Sequence, residues 1–88
     1  MDDLDMQRFG QRLGEARRAK GLTRVALATL AGVKSAPMLT SLESGQRDGI
    51  RGETLYRLCQ VLQVSADYLL GLTDDPRPRP SRKRPPSS

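Results

Sequence analysis

Apolar side chains recur at intervals of three and four along most of this chain. Met6, Phe9, Leu13 and Ala16 form one such stripe and predict a helix over about residues 4–19. Gly21 is placed to end it in a left-handed conformation. Thr23 then serves as N-cap of a helix over about 24–31, which buries Leu27, Ala28 and either Ala31 or Leu30. Gly32 closes that helix and Val33 turns back toward the core. The ring of Pro37 disfavours the helical region for Ala36, so Ala36 is expected as the cap and Pro37 as the first residue of a third helix. Leu39 and Leu42 face inward from it, and Ser44-Gly45 ends it. Leu55, Leu58, Cys59 and Leu62 make a fourth stripe, and Ser65 caps a short fifth helix stopped by Gly71. Asp67 in its first turn suits the helix dipole. Strand-type alternation is nearly absent, and one Phe and two Tyr are too few for a β-rich core. The expectation is an all-α fold: five short helices in a compact domain over residues 1–73, around one leucine-rich core and without internal repeats.

From Asp75 the pattern stops. The last residues carry five of the six prolines and no larger apolar side chain. Such a segment buries too little surface to offset its ordering entropy, so residues 74–88 are expected to be a disordered basic tail. The formal charge of +5 is shared unevenly: the tail holds five basic and two acidic residues, a net +3. The remainder is mildly basic, so binding to an acidic partner depends on where its arginines point. The alternative is a merely solvated surface.

Several function classes drop out. Eighty-eight residues allow one small domain. No run approaches the roughly 18 apolar residues of a membrane span, and the acidic, polar MDDLDMQRF start does not read as a signal peptide. There is no histidine, and Cys59 is the sole cysteine. No metal site, cofactor or catalytic apparatus is expected, and a reducing cytoplasmic setting fits best. Cys59 lies on an inward stripe and reads as a buried structural thiol, with a redox sensor as the alternative.

The second and third helices are short, joined by a tight glycine turn, and present small polar residues outward. A short exposed helix held at a fixed angle is what can enter a DNA major groove. The supporting pieces are Arg17, Gly21, Leu22 and Thr23; Leu27-Ala28; Gly32-Val33; Leu42-Glu43 with Gly45; Thr54-Leu55; and Val64-Ser65 with Asp67 and Leu69-Leu70-Gly71. In this order and spacing, the stretch from about Arg12 to Leu72 resembles the lambda-repressor-like helix-turn-helix family, the Xre or Cro/C1 type.

That resemblance implies a sequence-selective regulator of transcription, in the manner of a repressor, acting on double-stranded DNA as a homodimer. It implies a structural ion pair between Arg17 and Glu43, with the alternative of two solvated side chains. It places Thr23 and Arg24 on a DNA phosphate at the start of the second helix, although the family usually carries glutamine where this chain has Arg24. Base contacts would come from Lys34, Ser35, Ala36, Met38 and Ser41; Met38 reads equally as a core residue. Thr40, Gln46, Arg47 and Arg51 would meet phosphates, unless the loop is only a solvated charged segment. This chain has one residue more than the family pattern within Lys34 to Pro37, and another before Thr54. No Arg, Asn or Gln stands on the reading face, which predicts modest base discrimination supported by DNA shape. Tyr68, Leu69 and Leu72 are the expected dimer surface, and the tail is an electrostatic arm, a ligand for a partner protein or a solubilising segment. A phage repressor, a restriction–modification controller, an antitoxin of a toxin–antitoxin pair, and an interaction module without DNA binding all share such a chain.

Overall fold

The computed structural model describes residues 5–47 and 49–78. They form five helices: α1 (Met6–Ala19), α2 (Arg24–Ala31), α3 (Ala36–Glu43), α4 (Gly52–Leu62) and α5 (Ala66–Leu69), with no strand among the described residues. The expected all-α bundle is the one observed.

Local chemistry sets most of the boundaries. Asp5 caps α1 through the Gln7 and Arg8 amides, both at 3.1 Å. Thr23 caps α2 by accepting from the Ala26 amide at 3.0 Å. Gly32, at φ 70°, ends α2 in the left-handed region that disfavours any side chain. The cap of α3 is Ser35, not Ala36 as the proline argument predicts: its hydroxyl accepts from the Met38 amide and its backbone is extended. Pro37 still lies in the first turn, where its missing N–H costs nothing. A serine one residue earlier offers an acceptor that alanine lacks, and that moves the boundary.

The inward stripes meet as expected. Phe9, Leu13, Leu27, Leu39, Leu42, Leu58, Leu62 and Leu69 are the fully buried large side chains. Ala31, not Leu30, completes the buried face of α2, while Leu30 stays exposed. Cys59 is half-buried at the edge of this core, and burial pushes its thiol up to about 11.

Two contacts hold the helices in register. α1 presents Gly10 and Gly14 to the C-terminal end of α3. A β-carbon on Gly10 would lie 2.3 Å from the Glu43 carbonyl oxygen, so only glycine admits this approach. On the other side of α1, Arg12 binds the chain that follows α5. Its guanidinium lies 4.2 Å over the Tyr68 ring and donates to the carbonyls of Tyr68 and Thr73 and to the Asp74 carboxylate.

The first residues beyond the domain boundary expected at residue 74 lie along the bundle. The Pro76 carbonyl accepts from the Ser65 amide at 2.9 Å, and Asp74 pairs with Arg12 at 2.6 Å, so residues 74–78 return along the bundle. The composition of this segment is poor in apolar groups, but backbone acceptors and one carboxylate suffice to seat it. The remainder of the expected tail, including Arg79, Arg82, Lys83 and Arg84, lies outside the described residues.

Candidate nucleic-acid interface

α2 and α3 meet at 106°, within the range of helix-turn-helix units. Their junction is fixed from behind by a buried ionic cluster. Arg17 on α1 reaches Glu43 at the end of α3 with 2.7 Å between Nε and Oε2 and a second contact of 3.3 Å. The same guanidinium donates to the Leu22 carbonyl at 2.8 Å, in the turn before α2. The two side chains are only 10 % and 5 % exposed. Arg24 adds its Nε to the other carboxylate oxygen at 3.0 Å. One carboxylate thus ties together α1, the start of α2 and the end of α3. Desolvation offsets much of such a pair's attraction, so its main effect here is to hold α3 at one angle.

The outward side of this unit carries the residues expected to meet DNA. Lys34 and Ser35 are exposed before α3, Ala36, Met38 and Ser41 are half-exposed on it, and Pro37 is exposed between them. Ser35 spends its hydroxyl oxygen on the helix cap, and Thr40 donates its hydroxyl to the Ala36 carbonyl at 3.1 Å. Both keep one hydrogen-bonding capacity for a ligand. Beyond α3, Ser41, Gln46, Arg47 and Gly49 line an open hollow of about 500 Å³. Met38 is half-exposed at the edge of that side. With Leu42, Arg47, Ile50 and Arg51 it lines a cleft of about 290 Å³ between α3 and the loop.

Some of the surface cations are paired and others are not. Arg57, whose guanidinium lies beside Gly32 in the turn before α3, pairs with Glu53; Arg77 pairs with Asp75 and Arg12 with Asp74. The Arg77 guanidinium holds the Asp75 carboxyl down at about 2. Lys34, Arg47 and Arg51 make no ion pair among the described residues, and all three flank α3. The terminal amino groups of Arg24 are likewise without a hydrogen bond among these residues.

One of the expected dimer residues is placed elsewhere. Leu69 is fully buried in the core and cannot serve a partner surface. Helix α5 is a single turn, too short for periodicity to tell its inward residue from its outward ones. Tyr68 is half-buried beneath Arg12, and Leu72 is 73 % exposed. Arg12, Gly10 and Gly14 were not singled out from the sequence. The partners of Arg12 lie 56 to 62 residues away, and a glycine within a helix leaves no mark on an apolar stripe.

A bent pair of short helices, with the second exposed and its inner end locked, defines a helix-turn-helix protein. The chain belongs to the helix-turn-helix family, whose model matches residues 13–69. It is similar to RghRB of Bacillus subtilis (strain 168), described as an uncharacterised HTH-type transcriptional regulator. The two are 38 % identical over 65 residues, 74 % of this chain and 46 % of that protein, so the chain spans about half the length of this relative. Among solved structures it is similar to the restriction–modification controller protein C.AhdI from Aeromonas hydrophila. Identity is 35 % with a TM-score of 0.68, covering 74 % of this chain and 96 % of the controller. It is also similar to the P22 c2 repressor in complex with a synthetic operator, at 33 % identity and TM-score 0.67, covering 73 % and 94 %.

Proposed function

We propose that this protein regulates transcription by binding double-stranded DNA as a homodimer, with α3 in the major groove. The observation that carries the reading is the exposed positive charge that flanks α3 in a locked helix-turn-helix unit. Among the described residues, Lys34, Arg47 and Arg51 flank the exposed side of α3 and make no ion pair. A polyanion with regularly spaced charges is the ligand this surface complements. The likeness to a repressor described in complex with its operator, and to a restriction–modification controller, supports the same assignment. Binding rather than catalysis is the activity, exerted in the cytoplasm where the DNA lies, and the regulator acts as a repressor by occupying its site.

In this reading Thr23 and Arg24 take a phosphate at the start of α2, and Thr40, Gln46, Arg47 and Arg51 take others around α3. Lys34, Ser35, Ala36 and Ser41 face base edges, and Met38 offers its methyl to a thymine from the mouth of its cleft. Hydroxyls and aliphatic groups make single or apolar contacts where arginine or glutamine would make paired ones, so base discrimination is modest. Two copies, joined through the surface around Leu72 and Tyr68, place their α3 helices about 34 Å apart, one turn of duplex.

Selection from random duplex DNA at about physiological salt tests the whole assignment. Enrichment of an inverted repeat with centres about one helical turn apart is the expected result. No enrichment, with no binding to any duplex at low salt, would instead make the protein an interaction module. The lack of Arg, Asn and Gln on the outer side of α3 is what favours that second reading.

A further inference from the structure

The groove between α1 and α3 holds charge beyond the Arg24 contact that the DNA-binding reading already uses. It has a volume of about 590 Å³, with Gly10 and Gly14 at its floor and Thr40 and Ser44 along its α3 side. Arg8, Arg18 and Arg24 open into it, opposed by two carboxylates, Asp5 and Glu43. Both acids are already engaged. Asp5 caps α1 through two amides, and Glu43 is shared between Arg17 and Arg24. Arg18 makes no ion pair or hydrogen bond through its side chain among the described residues. Its Nη1 curls back over Gly14: a β-carbon there would lie 3.2 Å from this nitrogen and 3.3 Å from the Glu43 carboxylate. Three guanidiniums, from Arg17, Arg18 and Arg24, therefore converge around a single carboxylate, leaving an excess of positive charge beside the polar side of α3.

We propose that this groove is a seat for one DNA backbone phosphate, with Arg18 as its main ligand and the free amino groups of Arg24 beside it. The inference rests on the DNA-binding reading and adds to it a contact from α1. Glu43 keeps Arg24 extended along the groove, so the phosphate completes a charge cluster that the protein leaves positive. A guanidinium suits this ligand because its donors match two phosphate oxygens at once. The seat lies on the α1 side of α3, opposite the loop of Arg47 and Arg51, so the two together would grip the strands on either side of one major groove.

The test is the salt dependence of duplex binding for wild type, Arg18→Ala and Arg18→Lys, on a selected site and on random DNA. Thermal unfolding of each variant is followed alongside. Arg18→Ala is expected to lower the magnitude of the salt slope by about one, equally on both DNAs, with its unfolding midpoint unchanged. Arg18→Lys is expected to restore most of the slope. An unchanged slope in a wild type that binds DNA would overturn this seat while leaving the DNA reading intact. Failure of the wild type to bind any duplex would overturn both. Inorganic phosphate at matched ionic strength separates the sources of the anion. If it raises the wild-type midpoint but not that of Arg18→Ala, and the DNA slope does not move, the ligand is a free anion and not the duplex.

Discussion

Glu43 shows how much can hang on one side chain. Its carboxylate is 5 % exposed and takes hydrogen bonds from two arginines on two other helices. Removing it strands the Arg17 guanidinium in the interior. Glu43→Ala should therefore destabilise the fold by about 3 kcal/mol, measured by urea denaturation; a loss of under about 1 kcal/mol would mean that water replaces the carboxylate freely. Cys59 behaves in the opposite way, as an inert group. Its thiol rises to about 11 from an ordinary 9.0 because burial disfavours the thiolate. At pH 8 it should react with iodoacetamide about a hundredfold more slowly in the native protein than in urea. The sign for stability follows from the same shift. The thiol's contribution is fully present below pH 9 and is lost as pH rises toward 11, because only the unfolded chain ionises in that window. Replacing Cys59 with alanine should flatten that part of the stability profile; equal alkylation rates in both states would refute the burial.

At the scale of helices, the caps were readable because each is a local bargain between a side chain and the next turn. Thr23 and Ser65 stand where the sequence pattern puts them. Ser35, and not the expected Ala36, is the cap because two local signals compete. The restriction that Pro37 places on Ala36 suggested one boundary, and a hydroxyl able to reach the Met38 amide set another. The packing of α1 on α3 was not legible at all, since glycines in a helix look like lapses in its pattern rather than contacts. Gly10→Ala tests that contact. Its new methyl group would meet the backbone of Glu43, which cannot rotate away, so the variant should lose about 1–3 kcal/mol. If its urea midpoint matched the wild type, α3 would be free to re-seat, and its angle would not be set by α1.

For the whole molecule, the proposed dimer and its grip on DNA lead to two measurements. Leu72 is 73 % exposed next to the half-buried Tyr68, so Leu72→Asp should shift sedimentation toward the monomer while leaving the fold intact. A wild-type mass unaffected by this change would remove the α5 end as the pairing surface. Two or three arginine–phosphate contacts per subunit would give a dimer a salt slope near about −4 to −6, taking about −0.9 per neutralised phosphate. Arg47→Ala should reduce that slope and weaken binding about equally on selected and random duplexes. A loss confined to one sequence would instead make Arg47 a reader of bases.

The five-helix plan, its leucine core and the helix-turn-helix unit were determined by the chain alone, because periodicity and capping act over a few residues and repeat in a known order. The family's residues at Arg17 and Glu43 could likewise be recognised as an intended pair. What three dimensions decided was which groups share one place. Leu69 went to the core and not to a surface because a one-turn helix has no face of its own until its neighbours cover it. Residues 74–78 settled on the bundle because Arg12, far back in the sequence, offers donors to Thr73 and Asp74. Arg18 and Arg24 acquired a common groove because two glycines let α3 come close to α1. Each of these depends on distances between remote segments, and a linear pattern does not carry such distances.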